Sequence, residues 1–560
     1  MNLDQARALF LESLVYHEAG DFRRAEALLR RALELSPDRV SIVSNLCGAL
    51  LAQGRFREAL PYAEQACRLE PGSLLSWDHA AMCHEETANW PAALGCLDRA
   101  LALGATQDIQ RRRVTCLLAM ERRDEARSVL EALCAAGEAL PDDFQLLAAM
   151  QFEQGEHARA LGNSNRALEL APDFAPAALM RADALLKLGR PAEAREAALH
   201  ATRCGAGFWQ TWFALGNARV ECNDADGALE AFERAAELCG DDPAGYRLRW
   251  NRALALLQSG DLARGLPAFE CRRERPEAAS QQWPASPRWD GRRVAAGQTL
   301  LLVSEQGLGD TLQFVRYATF LAGMGARVLL WVEPALIQVL AGCPGVAGLF
   351  SKDEAAPAHD LHVPMMSLPL LCGTTLDSVP PPAGLKPEAG RREHWNAFLS
   401  MLGHPRIGLV WSGNPRHIND QARSMPLQAL APLFGLRADF VSLQKEVREQ
   451  DRPGLLRHPL LDATDQLEDL ADTAALIANL DLVISVDTSV AHLAASLGKP
   501  VWLLLPHAAE WRWLRERSDS PWYPSMRLFR QSVPGDWSGV VERVREALQI
   551  ARGDFSVPAR

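Results

Sequence analysis

The chain has 560 residues, 48% of them hydrophobic and 23% charged, and a formal net charge of −11. At roughly 150 residues per domain, that length implies about three or four units. The acidic balance, with no Lys/Arg block to reverse it, argues against a nucleic-acid binder, and no segment reaches the roughly 18 uninterrupted apolar residues of a membrane span.

The first twenty residues, "MNLDQARALFLESLVYHEAG", carry charges through the first turns and lack the apolar core of a signal peptide. The expected location is cytoplasmic. Twelve cysteines agree with that: they are scattered singly without a Cys-x-x-Cys, and ten lie before residue 272. On helical patterns a thiol acts as a small buried hydrophobe, so neither disulfides nor a zinc site is expected.

From the N-terminus onward one small residue returns at a fixed spacing. Ala25, Ala59, Ala93, Ala126, Ala160, Ala194, Ala228 and Gly265 follow one another at offsets of 34, 34, 33, 34, 34, 34 and 37. Pro37, Pro71 and Pro172 mark ends of the repeats, and Gly20, Gly54, Gly155, Gly189 and Gly260 fall in turns. The small residue lets two helices approach closely, while Gly or Asn supplies a left-handed turn position. Over residues 1–272 this pattern resembles the tetratricopeptide repeat, about 34 residues of helix–turn–helix. About eight repeats would stack into an α-solenoid whose groove binds a protein or peptide. "NDAD" (Asn223–Asp226) contains an Asp-x-Asp, but it falls on a repeat turn and is read as that turn.

Residues 273–297, rich in Pro, Arg and Ala, show no period and read as a linker, with Trp283 and Trp289 plugging it onto a neighbour. Beyond it, apolar runs alternate with helical stretches, the mark of βαβ units and parallel sheets. Strands are expected at about 299–304, 327–332, 347–350 and 360–363. A Pro/Gly-rich stretch follows at 378–390, then strands at 406–413, 438–444, 480–487 and 499–506. Two lobes, 298–390 and 391–550, would enclose a cleft, with the last helix (536–550) crossing back to the first lobe and 551–560 as a tail. His359 and His362 are three apart on an expected strand, which would point them to opposite faces and rules them out as a metal pair.

In "LDLVISVDTSVAHLAASLGKPVWLLLP" (480–506) a buried strand ends at Asp487, and Thr488 and Ser489 open a helix whose free N–H groups would attract an anion, phosphate above all. His492, one turn in, is a phosphate ligand or a packing histidine. In "LLVSEQGLGDTLQFVRY" (301–317), Gly307-Leu308-Gly309 is no dinucleotide fingerprint, since Leu312 stands where a Gly or Ala is needed, and no Walker loop occurs. What remains is a turn that places Asp310 at a helix N-terminus, as a cap or as a proton acceptor.

Asp-Thr-x-x-x-His-x-Ala followed by Gly-x-Pro resembles the donor-site signature of the ADP-heptose:lipopolysaccharide heptosyltransferases, glycosyltransferase family nine. "EQGLGD" supplies the family's Gly-Asp turn, and "WSGNPRHINDQARSMP" (411–426) its polar loop with a basic residue and then a Pro. The matches cover about residues 298–548. The family's Asp-Thr-Gly reads Asp-Thr-Ser here, Arg423 stands where the family usually has Lys, and the first lobe is short for holding a lipid-linked sugar. Repeats fused to such a unit are also similar to O-linked N-acetylglucosamine transferases and flagellin glycosyltransferases.

The resemblance implies a GT-B fold of two Rossmann-like lobes and a metal-independent, inverting glycosyltransferase that uses a nucleotide-sugar donor without a further cofactor. Asp310 would be the catalytic base, with His417 and Asp420 as alternatives. Gly309, Ser412, Asn414, Arg423, Lys445, Asp487, Thr488, Ser489 and His492 would hold the donor. Trp511, Trp513, Trp522 and Tyr523 are read as packing, while Arg512 or Arg515 could meet an acidic sugar carboxylate. The acceptor is expected to be a protein chosen by the repeats. A non-catalytic adaptor and a glycan-directed enzyme are the alternatives.

Overall fold

A computed structural model describes residues 2–104, 106–240, 242–275, 283–292, 294–295, 297–417, 419–551 and 555. Compactness divides the chain into two units, Met1–Arg190 and Pro191–Arg560.

The first unit is a series of antiparallel helices from α1 (Asn2–Glu18) to α11 (Ala175–Lys187). The phased alanines explain the packing. Ala25, Ala59, Ala93, Ala126 and Ala160 are all fully buried, each where a larger side chain would hold two helices apart. Turns occur where the sequence places them, with Gly54 at φ +71°. Cys47, Cys83 and Cys116 are fully buried within the hydrophobic core of this unit.

The second unit opens with the last helices of the repeat run. These are α12 (Pro191–Cys204), α13 (Trp209–Glu221), α14 (Ala225–Cys239), α15 (Tyr246–Gln258) and α16 (Leu262–Phe269). Asn223 takes φ +59° and Asp224 caps α14 by accepting from the Gly227 N–H, so "NDAD" is a turn. A Cβ on Gly265 would lie 2.7 Å from Leu257, the close contact its phase predicts. Leu257, Leu262, Leu266 and Phe269 then join the core of the following α/β region. At about 2 kcal/mol per buried side chain, that contact fuses the last hairpin to the sheets. A boundary expected at 273–297 therefore separates repeat from sheet in sequence but not in packing.

The expected linker is a strap. Trp289 is buried and donates its backbone N–H to His362 O at 2.8 Å, and Trp283 packs beside Leu301, Val303 and Trp331. Residues 276–282, 293 and 296 of the linker lie outside the described residues, as does most of the 551–560 tail.

Two parallel sheets follow. The first contains β1 (Thr299–Val303), β2 (Arg327–Val332), β3 (Val346–Ser351) and β4 (Leu361–Pro364), in the order β3-β2-β1-β4. The second contains β5 (Arg406–Val410), β6 (Asp439–Ser442), β7 (Leu460–Asp462), β8 (Leu482–Val486), β9 (Val501–Leu505) and β10 (Met526–Arg530), in the order β10-β9-β8-β5-β6-β7. Strand order reverses between β1 and β4 and between β5 and β8, and ligand crevices form at such switch points. Strands β7 and β10 escaped the sequence reading. The first has three residues, and the second, "MRLFR", is an apolar run interrupted by two arginines at a sheet edge.

Two further expectations fail. The C-terminal helix (Trp537–Ala551) does not cross back: Val540, Val541, Val544 and Ala547 bury against Ile407, Leu409 and Trp502 of the second sheet. His359 precedes β4, so strand alternation does not govern it, and both His359 Nε2 (2.6 Å) and His362 Nδ1 (3.0 Å) meet Ser286 Oγ.

Candidate functional site

A cavity of about 1310 Å³ opens where the C-terminal ends of β1, β5 and β8 meet. Three turns build it.

The first follows β1. Glu305 is buried and accepts from Arg272 Nε (3.2 Å) and Nη2 (3.0 Å) and from the Met366 N–H (3.0 Å). The chain then enters α17 (Leu308–Phe314) through Gly307, whose N–H donates to Asp310 Oδ2 at 2.8 Å. The other Asp310 oxygen accepts from Arg512, which also bonds Glu510 and the Gln313 side chain. Asp310 is thus cap and ion-pair partner together. Burial pushes Glu510 up to about 7, although Arg512 opposes the rise.

The second turn follows β5. Gln444 clamps it, accepting from the Ser412 N–H (3.2 Å) and donating to Ser412 O (2.9 Å). Ser412 Oγ, buried, has no hydrogen-bond partner among the described residues. Gly413 donates its N–H to Ser424 Oγ at 3.0 Å, and a Cβ there would lie 2.8 Å from Arg423 Nη2. Glycine therefore lets the guanidinium lie flat against the turn. Arg423 Nη1 donates to Asp487 O at 3.1 Å, and its Nε has no partner among the described residues.

The third turn follows β8 and opens α18 (Ser489–Ser496). Thr488 is the N-cap residue in extended conformation, yet no side chain caps the helix, because Thr488 Oγ1 sits 3.2 Å from Ser485 Oγ. Ala491 and His492 donate their N–H groups to Thr488 O, and the Ser489 and Val490 amides are left for a ligand. Asp487 accepts from Trp513 Nε1 at 2.9 Å, and burial raises its pKa. His492 lies beneath: a Cβ on Gly309 would be 3.0 Å from its ring, and its Nδ1 is 3.0 Å from Tyr523 OH. Burial, then the Arg512 and Arg316 charges, push His492 down to about 3. Its ring packs against α17, with Nε2 3.9 Å from Asp487 Oδ1.

Gly309, Asp310, Ser412, Asn414, His417, Arg423, Lys445, Asp487, Thr488, Ser489 and His492 all line this cavity. Asp420 does not: it is buried behind the second turn, accepting from Ser424 Oγ (2.7 Å) and pairing with Arg448. That arrangement turns its carboxylate away from the cavity. His417 stays exposed at the cavity rim, with Nδ1 accepting from the Asn419 N–H and its pKa lowered by partial desolvation and by Arg423. Lys445 reaches Glu468 O at 3.4 Å.

Neither arginine suggested for an acidic sugar is free. Arg512 is held by Asp310 and Glu510, and Arg515 donates to Asn223 O. Trp511, Trp513, Trp522 and Tyr523 are buried. Sequence reasoning missed Glu305, Gln444 and Glu510. The polar residue ending "VSLQ" after an apolar strand was the available signal for Gln444.

Tetratricopeptide-repeat family models match residues 16–65, 146–207 and 213–279. The model "Glycosyltransferase family 9 (heptosyltransferase)" matches residues 467–505, the segment that carries β8, the third turn and α18. "Protein FlbA" of Caulobacter vibrioides is 24% identical over 98% of this chain and 90% of its own length. "DnaJ homolog subfamily C member 7" of Mus musculus is 27% identical over 32% of each chain. "Protein O-mannosyl-transferase TMTC3" of Homo sapiens is 22% identical over 44% of this chain and a quarter (25%) of that protein. A solved tetratricopeptide repeat protein from Parabacteroides merdae matches at 16% identity and a TM-score of 0.31, over 45% of this chain and 99% of its own. No helix among the described residues is long and apolar enough to cross a membrane. The chain thus joins tetratricopeptide repeats to a glycosyltransferase-9-like α/β region.

Proposed function

We propose that this protein is a glycosyltransferase of GT-B type that moves a sugar from a nucleotide donor to a hydroxyl of a protein held by its repeats. One observation carries the reading: α18 starts uncapped in the cavity beside Arg423, whose guanidinium lies against Gly413. Uncapped amides and a fixed cation suit a diphosphate.

In this reading the donor diphosphate sits on the α18 amides, Arg423 and Lys445, with Ser412 Oγ and Asn414 at its flank. The acceptor hydroxyl attacks the anomeric carbon from the opposite face. The bond to the diphosphate breaks, the configuration inverts and Asp310 takes the hydroxyl proton. Charge developing on the leaving diphosphate is met by these fixed donors, so the protein itself supplies the electrostatic stabilisation. That the relative TMTC3 is named a protein O-mannosyl-transferase supports a protein acceptor.

A second reading has its own support. Both Asp310 oxygens are occupied, by the Gly307 N–H and by Arg512, and a carboxylate so bonded is a weak base. A repeat adaptor that binds a nucleotide sugar without turnover would have that feature. Release of free nucleotide from nucleotide sugars, measured with and without candidate acceptor proteins, separates the two. Asp310→Asn should cut release about 10²–10⁴-fold while nucleotide binding persists. Binding without release in the wild type establishes the adaptor.

A further inference from the structure

The cavity has a wall that the donor does not need. It is formed by Glu221 at the end of α13, by Arg272, Arg273 and Arg275 after α16, and by Trp283 of the strap. Arg272 locks this wall to the catalytic turn. Its guanidinium is buried, spans Glu305 and Glu270, and donates to Ser367 Oγ at 2.6 Å. Glu305 lies five positions before Asp310, so the next residue, Arg273, is tied to the neighbourhood of the proposed chemistry.

Charge pairing in the cavity is uneven. Glu305, Asp310 and Asp469 each pair with an arginine, and Asp487 accepts from Trp513. Glu221 is itself engaged in an interaction. Arg275 stacks over Trp250 at 5.0 Å. Arg273 has no hydrogen-bond or ion-pair partner among the described residues, and it is exposed on the wall. Partial desolvation and the nearby Arg288 and Arg272 charges push its pKa down, while Glu270 and Glu305 oppose the shift.

We infer that Arg273 is an acceptor-specificity residue, and that the acceptor is a peptide carrying Asp or Glu beside the hydroxyl that receives the sugar. This rests on the glycosyltransferase reading above. A peptide is favoured because the wall continues directly from the end of the repeat run, with Glu221 on α13 and the arginines just after α16, and stacked repeat helices present an extended surface to an extended chain. A free guanidinium recognises a carboxylate by paired hydrogen bonds and repels a cation.

The test uses the full chain and fluorescein-labelled heptapeptides with a central serine, flanked by glutamates or by lysines, read by anisotropy. The wild type should bind the glutamate peptide at least about tenfold more tightly, and Arg273→Glu should reduce that preference to under about twofold. Arg273→Gln, with melting recorded for both variants, shows that the loss is not misfolding. Equal binding of the two peptides by the wild type overturns the inference, as does a preference that survives Arg273→Glu. Tri-galacturonic acid binding more tightly than the glutamate peptide, with the same Arg273 dependence, overturns the peptide in favour of an acidic glycan. ADP, UDP and CDP titrated into the wild type report separately on the donor site. If they fail to bind while the peptides are still discriminated, the glycosyltransferase reading falls and the acidic-peptide surface stands.

Discussion

The turns that end β1 and β8 face one cavity and have opposite electrostatic states. After β1, Glu305 and Asp310 are each closed by an arginine, Arg272 and Arg512, and the α17 entry is bridged by the bond from the Gly307 N–H to Asp310. After β8, Thr488 turns its hydroxyl toward Ser485, α18 is uncapped, and Arg423 spends one bond on a backbone carbonyl. A closed turn fixes a carboxylate in place. An open one waits for an anion from outside. The two states of one βα-turn design therefore divide the proposed work between positioning an acid–base group and binding a diphosphate.

The strongest way to break the closed side is Arg512→Met. Arg512 is buried between Asp310 and Glu510. Removing it leaves two carboxylates without their cation and should cost about 3 kcal/mol, seen as a lowered urea midpoint. Arg512→Met combined with Glu510→Gln should recover part of that loss, since only one carboxylate then stays unpaired.

Acid sharpens the same contrast. Burial alone would raise the pKa of Glu270, but the Arg272 charge and hydrogen bonds from Arg288, Arg272 and Ser367 hold it at about 2. Its folded value lies below the unfolded one, so this contribution is complete above about pH 4.5 and is lost as pH falls from there toward 2. Unfolding free energies from urea titrations should fall by about 1 kcal/mol per pH unit over that window. Glu270→Gln should start lower at neutral pH and change less with acid.

On the open side the expected effect is smaller. In Gly413→Ala the new methyl would meet Arg423 Nη2 at 2.8 Å, so the guanidinium must move. Nucleotide affinity should fall about tenfold by calorimetry, or about 1.4 kcal/mol, without a change in melting temperature.

Much of this organisation is readable in the sequence because it is periodic. A buried small residue every 34 positions fixes helix pairs before any tertiary contact is considered, and eight of the ten strands are apolar runs of ordinary length. The cavity-lining residues were legible for the same reason, since a helix that opens at Thr488 after a buried strand has one geometry. What the sequence hides is pairing between distant turns. Arg512 sits 202 positions from Asp310, and Arg272 sits 33 from Glu305. No local pattern links either pair. Asp420 shows the converse: the polar loop around it reads like a site, but Arg448 and Ser424 draw its carboxylate behind the turn.

In the proposed function the open turn after β8 binds a nucleotide diphosphate through Arg423. Thermal melting of the wild type and of Arg423→Ala with ADP, UDP, CDP and their sugars tests it directly, because a ligand of the folded state raises melting by mass action. One nucleotide class should raise wild-type melting in proportion to the logarithm of its concentration and leave Arg423→Ala unmoved. Equal shifts in both proteins, or none in the wild type at about millimolar ligand, would contradict the claim.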